Sequence, residues 1–433
     1  MLEIIPPTGR LSGKVILPGS KSITNRALLL AALADGVSEI RGALKSDDTK
    51  YMAAGLRQLG IEIEEKKDGT TFVVHGKNGK LAESKEKIFL GNAGTATRFL
   101  TAAAILMNGE TIIDGDAHMR ERPIRDLVDA LIQLGAKIEY LGKAGCPPLR
   151  IISSGKIPGG KIKIRADISS QFLSAILMIA PLAEKKLEIE IIAEKRGAFG
   201  QLQSAGYISL TQIIQNEFGV DYEILPDPYL PTTGFLVEPK KYCAKNFVVE
   251  PDASSATYFW AAEKLLGGKL DFGNIPSVDL WFQPDAEAKK IIENNFEGKY
   301  NSVDGNLMPD AIPTLAVFAA FSGKQVDFVR VENLRKKECD RVEAIVKNLN
   351  KIQPGLAWDN KDSNEFFVYG DANLATNGKP ATIETFDDHR IAMSFFLAGL
   401  KIVGIKIDKP DCVTKSFPNF WKIWERLGIQ YKK

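Results

Sequence analysis

The chain has 433 residues, 45% of them hydrophobic and 25% charged, with a formal net charge of +2. That balance excludes a nucleic-acid binder working through bulk charge, so any anion site has to come from local clustering. The length accommodates two domains, each with its own core. Residues 1–14, "MLEIIPPTGRLSGK", lack the basic region and apolar core of a signal peptide, and no apolar run reaches membrane-spanning length. Cys146, Cys243, Cys339 and Cys412 form no CxxC pair, and His75, His118 and His389 are too scattered for a histidine-based metal centre. The expectation is a cytoplasmic protein with reduced thiols and no metal.

The first element in chain order is "GKVIL", a short strand, followed by a Pro18-Gly19 turn. A helix comes next, whose apolar body from Ala27 to Ala34 stops at Asp35-Gly36. Its opening carries Lys21, Ser22, Thr24, Asn25 and Arg26. Cations there oppose the helix dipole, which already makes that end positive, so the arrangement points to a strongly anionic ligand. Five more helices open in the same way: "GNAGTATRFLTAAAIL", "DISSQFLSAILMIAPLA", "EPDASSATYFWAAEKL", "MPDAIPTLAVFAAFSG" and "DDHRIAMSFFLAGL". Between the six lie alternating runs that read as strands, among them "KIKIRADI", "LEIEII", "GFLVEP", "QVDFVRV", "FFVYG" and "ATIETF". Intervals of roughly 60–85 residues predict an internal structural repeat, with shared Ala-rich composition as the alternative. The break at "KKYCAKNFV", in the 240s, divides the openings three and three and predicts a hinge between two similar domains.

Cations recur at these openings and turns. They are Lys21, Arg26 and Arg98, then Arg120, Arg122 and Arg125 in "DAHMRERPIRD", Lys337 and Arg341 in "LRKKECDRVEA", Arg390 in "DDHR" and Lys415 in "CVTKSFPNF". Surface charge would account for any one of them. As a group at strand–helix junctions they predict an anion site, where Arg forks grip carboxylate or phosphate. "GSKS" is not a nucleotide P-loop, because Ser20 precedes Lys21 and Val15 stands where the first glycine belongs. Asp310 and Glu338 are candidate acid–base groups on condition that the fold brings both to one substrate. Surface carboxylates, or for Glu338 plain pairing with Lys337 and Arg341, are the alternatives.

"LPGSKSITNRALLLAALADG", "LGNAGTATRFL", "MRERPI", "SSQFLSAILMIAPL", "DASSATYF", "MPDAIPTLAV", "KKECDRV" and "DDHRIAM" occur in this order over nearly the whole chain. In that combination the sequence resembles the EPSP synthase family, the 3-phosphoshikimate 1-carboxyvinyltransferases. The resemblance implies an α/β (α+β) fold, a two-domain inside-out α/β barrel. Each domain would hold three βαβαββ-type repeats, helices buried and sheets outside, with the active site in the interdomain cleft. It implies a domain of residues 20–246 and a discontinuous one of 1–19 with 247–433.

The implied reaction passes the enolpyruvyl group of phosphoenolpyruvate to the 5-hydroxyl of shikimate 3-phosphate by addition and elimination, without metal or organic cofactor. The two substrates together bring about five or six negative charges, the anion that the first helix opening asks for. By resemblance, Lys21, Ser22, Arg26, Ser169, Ser170, Gln171, Ser204, Asp310, Asn333 and Lys337 would hold shikimate 3-phosphate. Lys21, Gly94, Arg122, Gln171, Arg341, Arg390 and Lys415 would hold phosphoenolpyruvate. Asp310 would take the hydroxyl proton and Glu338 would protonate the enol methylene carbon, with Lys21 beside them and His389 supporting Arg390 and Glu338. A monomer acting on small molecules, with no nucleic acid or membrane partner and with sensitivity to glyphosate, completes the expectation.

Four positions depart from the family pattern: Ala205 and Gly206 after Ser204, Cys339 where Thr is common, and Phe99 where Pro is frequent. The sister enolpyruvyl transferase acting on UDP-N-acetylglucosamine is the nearest rival. It begins with an Ala-Lys-Asn version of "GSKS" and carries a Cys in the loop that reads "GDAHMRERP" here. A non-catalytic anion- or RNA-binding protein on the same scaffold would not need both Asp310 and Glu338.

Overall fold

The computed structural model describes residues 1–165, 169–192, 204–225, 234–275 and 281–432. It divides into two compact units, residues 19–250 and residues 1–18 together with 251–433.

Unit 19–250 contains helices α1 (Lys21–Leu33), α2 (Asp47–Gln58), α3 (Gly94–Ala103), α4 (Arg125–Gln133), α5 (Ser170–Ile179) and α6 (Ala205–Glu217). Three four-stranded sheets share one plan. In one of them Ile88–Phe89, Asn108–Asp114, Leu149–Ser154 and Lys137–Tyr140 lie side by side, the first pair parallel and the other two antiparallel. Gly160–Arg165, Leu187–Ile192, Gly234–Val237 and Glu223–Leu225 repeat that order and sense. So do Phe247–Val248, Asp35–Arg41, Phe72–Lys77 and Glu62–Glu65. In the first two the chain runs strand, helix, strand, helix, strand, strand, which is the βαβαββ repeat. The third borrows its first strand from the far end of the unit. Because Phe247 and Val248 pair with Ile40 and Arg41, residues 247–250 sit with this unit.

The second unit contains α7 (Ala253–Leu266), α8 (Ala288–Glu293), α9 (Ile312–Ala320), α10 (Arg341–Ile352), α11 (Leu374–Asn377), α12 (His389–Gly399) and α13 (Phe420–Arg426). Ser302–Asp304, Gln325–Val329, Glu365–Tyr369 and Ala357–Asn360 form a sheet on the same plan. Ala381–Ile383, Ile405–Ile407, Leu2–Ile5 and Gln430–Lys432 form another, with a strand from the start of the chain as its third member. Gly268–Phe272 and Leu11–Val15 pair in parallel as a two-stranded sixth sheet.

The helices that open on small polar residues are apolar all round and are therefore core elements rather than surface ones. Every residue of α3, α9 and α12 is buried. The strands alternate instead: Ile162 and Ile164 point inward while Lys161 and Lys163 face solvent. Helix starts are fixed by side-chain caps of the expected types. Ser20 accepts from Ile23 N, Asp252 from Ser255 N, and Asp388 from Arg390 N. The tail of "KIKIRADI", residues 166–168, lies outside the described residues. Among the described residues no helix is long and apolar enough to cross a membrane, and all four cysteines are free thiols.

Candidate active site

In unit 19–250, α1, α3, α5 and α6 lie side by side. Near two of the starts, Gln171 Nε2 on the second residue of α5 donates to Thr95 Oγ1 on the second residue of α3, at 3.2 Å. About one turn deeper, Arg26 of α1 sits over the Phe99 ring of α3, 5.2 Å from its centroid. There it donates to Ser174 Oγ of α5 (3.2 Å), and to Thr211 Oγ1 (2.8 Å) and Tyr207 O (3.2 Å) of α6. These levels match along the four helices, so their N-termini collect at one end of the unit. Unpaired N–H groups and helix dipoles there favour an anion.

Most residues expected to bind ligand lie at that end. Lys21 Nζ is 3.2 Å from Asp48 Oδ2 at the start of α2, and its side chain is 11% exposed. Ser22 is half-buried, Ser169 caps α5, and Ser170 is buried beside it. Ser204 takes a left-handed conformation, φ +54°, immediately before α6.

Gly94 is the first residue of α3, and a methyl group on it would stand 2.6 Å from Arg98 Nη1 and 2.9 Å from both terminal nitrogens of Arg122. The left-handed turn before the helix is made by Gly91, φ +52°, so Gly94 is needed for close approach rather than for backbone freedom. Asn92 does not cap this helix; its Oδ1 accepts from Arg122 Nη1 at 3.0 Å and holds that guanidinium across the helix start.

Three cations grouped with the anion site on sequence grounds are engaged by the protein's own oxygens. Arg26 is 2% exposed and also donates to Ser22 O at 3.1 Å, so it cross-links α1, α5 and α6. Burial pulls its proton affinity down to about 10, which leaves it charged at neutral pH. Arg98 donates to Gly94 O (3.0 Å) and Pro123 O (3.2 Å). Arg120 forms a two-point pair with Asp114 at 2.9 and 2.7 Å, and Lys87 adds a third contact at 2.9 Å.

In the second unit the site is built around Arg341, the first residue of α10, whose side chain is 1% exposed. Its Nε donates to Asp388 Oδ2 at 2.7 Å, Nη1 to Asp310 Oδ1 at 3.0 Å, and Nη2 to Glu338 Oε2 at 2.8 Å. One guanidinium thus brings the two candidate acid–base groups together, although they are remote in sequence. Arg390 Nη2 holds the other oxygen of Asp310 at 2.8 Å, and Lys415 Nζ holds the other oxygen of Glu338 at 2.7 Å. Asn333 is buried in the turn Glu332–Lys336, with Lys337 next in the chain, and Arg335 anchors this loop to Asp359.

Burial works against the Arg341 charge, but Asp388, Glu338 and Asp310 outweigh it and push its proton affinity above the usual range. Cys339 lies 3.7 Å from Asp388 Oδ2. Burial and that carboxylate hold its thiol far above its ordinary value, so the thiol stays protonated and unreactive.

Asp388, which the sequence reading passed over, is fully buried and orders the cluster. It caps α12 through Arg390 N at 2.8 Å while gripping Arg341. Phe386 and Asp387, both with positive φ (53° and 57°), bend the chain into that cap. Thr385 is tied to Asp408 and Asp387 to Lys409, which holds the bend. His389 is buried with Nδ1 3.8 Å from Asp388 Oδ1. Asp48 and Asn92 play comparable parts for Lys21 and Arg122. The second acid of "DDHR" and the cap rule were the available signals for Asp388.

A sequence profile described as EPSP synthase (3-phosphoshikimate 1-carboxyvinyltransferase) matches residues 5–424. The chain is 50% identical over 431 residues to a 3-phosphoshikimate 1-carboxyvinyltransferase of Rhizobium leguminosarum bv. trifolii, covering 100% of this chain and 98% of that relative. It is 44% identical over 432 residues to one from Pseudomonas syringae pv. tomato, covering 100% and 99%. A solved EPSP synthase from Acinetobacter baumannii superposes with a TM-score of 0.77 at 24% identity, spanning 100% of this chain and 99% of the other, a likeness of fold. The repeated βαβαββ architecture, the profile and the full-length relatives agree, and the chain belongs to the EPSP synthase (3-phosphoshikimate 1-carboxyvinyltransferase) family.

Proposed function

We infer that this chain transfers the enolpyruvyl group of phosphoenolpyruvate to the 5-hydroxyl of shikimate 3-phosphate and releases phosphate. The observation that carries the mechanism is Arg341 holding Asp310 and Glu338 on adjacent nitrogens. Asp310 accepts the 5-hydroxyl proton as that oxygen attacks C2 of phosphoenolpyruvate. Glu338 gives a proton to C3, which turns the methylene into a methyl group and completes a tetrahedral intermediate. Breaking the C2–O bond to phosphate, with one methyl proton returning to the Glu338 carboxylate, restores the double bond in the product. Positioned acids and bases of this kind contribute about 10²–10⁴-fold each.

In this reading Arg341, Arg390 and Lys415 hold phosphoenolpyruvate together with Lys21, Gly94, Arg122 and Gln171. Lys21, Ser22, Ser169, Ser170, Gln171, Ser204, Asp310, Asn333 and Lys337 hold shikimate 3-phosphate. Arg26 stands behind that row, supplying positive charge and keeping α1, α5 and α6 together. The chain works as a cytoplasmic monomer, which light scattering of the purified protein checks.

The deciding experiment measures phosphate released from phosphoenolpyruvate with shikimate 3-phosphate or UDP-N-acetylglucosamine as acceptor. Release with the first alone is expected. Release driven by the second, or by neither, overturns the reading.

A further inference from the structure

Each oxygen of Glu338 is taken by a different cation, Lys415 at 2.7 Å and Arg341 at 2.8 Å. Asp310 bridges Arg341 and Arg390 in the same way. So the cations assigned to phosphoenolpyruvate in this unit are already matched by Asp310, Glu338 and Asp388, three charges against three. Phosphoenolpyruvate adds a carboxylate and a phosphate of about −1.5 to −2 charge to this balanced cluster. Its oxygens compete for those donors with the protein's own carboxylates.

The three carboxylates are not equally able to yield. Asp388 is 0% exposed and is fixed as the cap of α12, so it keeps Arg341 in place. Glu338 lies in the loop before α10, with one oxygen on each of two cations that phosphoenolpyruvate needs. Once displaced, it loses two charge-assisted hydrogen bonds and faces a new anion, with Asp310, Asp388 and the protonated Cys339 thiol also near. Loss of opposite charge and approach of like charge both favour the protonated carboxyl.

We propose that phosphoenolpyruvate displaces Glu338 from Arg341 and Lys415 and that Glu338 takes up a proton from solvent as it is displaced. The substrate thereby loads the acid that the addition step consumes. Glu338 serves as the counter-ion of the free site and becomes the proton donor of the occupied one. This rests on the enolpyruvyl-transfer reading above.

The test is calorimetry of phosphoenolpyruvate binding to the full chain without acceptor. It is run at pH 7.5 in HEPES, Tris and imidazole, which differ in ionisation enthalpy. The slope of observed heat against buffer enthalpy counts protons. Uptake approaching one proton is expected for the wild type and close to none for Glu338→Gln, with a thermal melt confirming that the variant is folded. The phosphate of the ligand cannot imitate this result, since binding to cations makes it lose protons. Wild-type affinity should also fall up to tenfold per pH unit above neutrality, while Glu338→Gln stays flat. A zero slope, proton release, or equal uptake in the variant overturns the proposal. If wild type nevertheless releases phosphate with shikimate 3-phosphate, only the linkage has failed. No phosphate release removes the reading beneath it.

Discussion

The two units set one scaffold to different electrostatic uses. At the centre of unit 19–250 the helices meet on a charge, Arg26, surrounded by Thr211, Ser174 and the Phe99 face. At the corresponding place in the other unit, α7, α9 and α12 meet on neutral hydroxyls. Thr257 bonds to Thr314 at 3.0 Å, and Thr314 to Ser394 at 3.2 Å. The helix starts differ in the opposite sense. Gln171 and Arg122 are held by neutral oxygens of Thr95 and Asn92 and Lys21 by the single carboxylate of Asp48, whereas Arg341, Arg390 and Lys415 share three carboxylates. A repeat fold fixes where helix starts point, and the side chains at the first two turns decide whether that place grips an anion or moves a proton.

The sharpest break in the comparison should come from the carboxylates. Asp310→Ala and Glu338→Ala are each expected to cut turnover at least about a hundredfold, read as steady-state phosphate release. Shikimate 3-phosphate affinity should survive better in Glu338→Ala. Near-normal turnover in either variant would remove that residue from the chemistry.

Next in size is the charged centre. Arg26→Met strips donors from Ser174, Thr211 and the Tyr207 carbonyl, and should cost about 2–4 kcal/mol in chemical denaturation. The matching change in the neutral centre, Thr314→Val, should cost only about 1 kcal/mol. Equal losses would mean that the two centres do not differ in the way their chemistry suggests.

A smaller effect belongs to Asp114, which supports the loop carrying Arg122. Burial alone would raise its pKa, but hydrogen bonds from Arg120, Lys87 and Gly115 N bring it down to about 2. The folded value lies below the ordinary one, so the ionised carboxylate favours the folded state. Its contribution, about 2 kcal/mol, is complete above roughly pH 4 and is lost as pH falls towards 2. Asp114→Asn should flatten the stability profile across that interval, and an unchanged acid limb would dismiss the assignment.

Least costly to the fold is Gly94→Ala. The added methyl presses on Arg98 and Arg122, whose side chains can shift, so the thermal midpoint should hardly move. The KM for phosphoenolpyruvate should rise severalfold and inhibition by glyphosate should weaken more. A lowered midpoint with unchanged constants would give Gly94 a purely structural part.

Much of this was legible in the sequence, for identifiable reasons. Ala-rich runs behind Ser or Asp caps mark buried helices, because only helices surrounded by other helices can be apolar on every side. The order of strands within each sheet was not legible, since pairing is set by contacts remote along the chain. Arg26 shows the same limit. A cation in the opening of a helix reads as a ligand holder, while the protein hydroxyls that it bonds, Ser174 and Thr211, lie far downstream. Asp388 hid for another reason: its motif drew attention to Arg390, while its own role depends on Arg341 arriving from a different helix.

The strand Leu2–Ile5, placed between Ile405–Ile407 and Gln430–Lys432, has a consequence for biosynthesis. At about 5–20 residues per second, the ribosome delivers the last partner of that strand roughly 20–85 s after the strand itself. All of unit 19–250 emerges meanwhile and can complete its three sheets. The first strand waits through this interval as an apolar ribbon with open edges, the kind of segment that recruits wrong neighbours. Pro6 and Pro7, directly behind it, cannot donate to a sheet and so keep any premature pairing short. The segment that waits longest for its partners thus has its own brake one residue away.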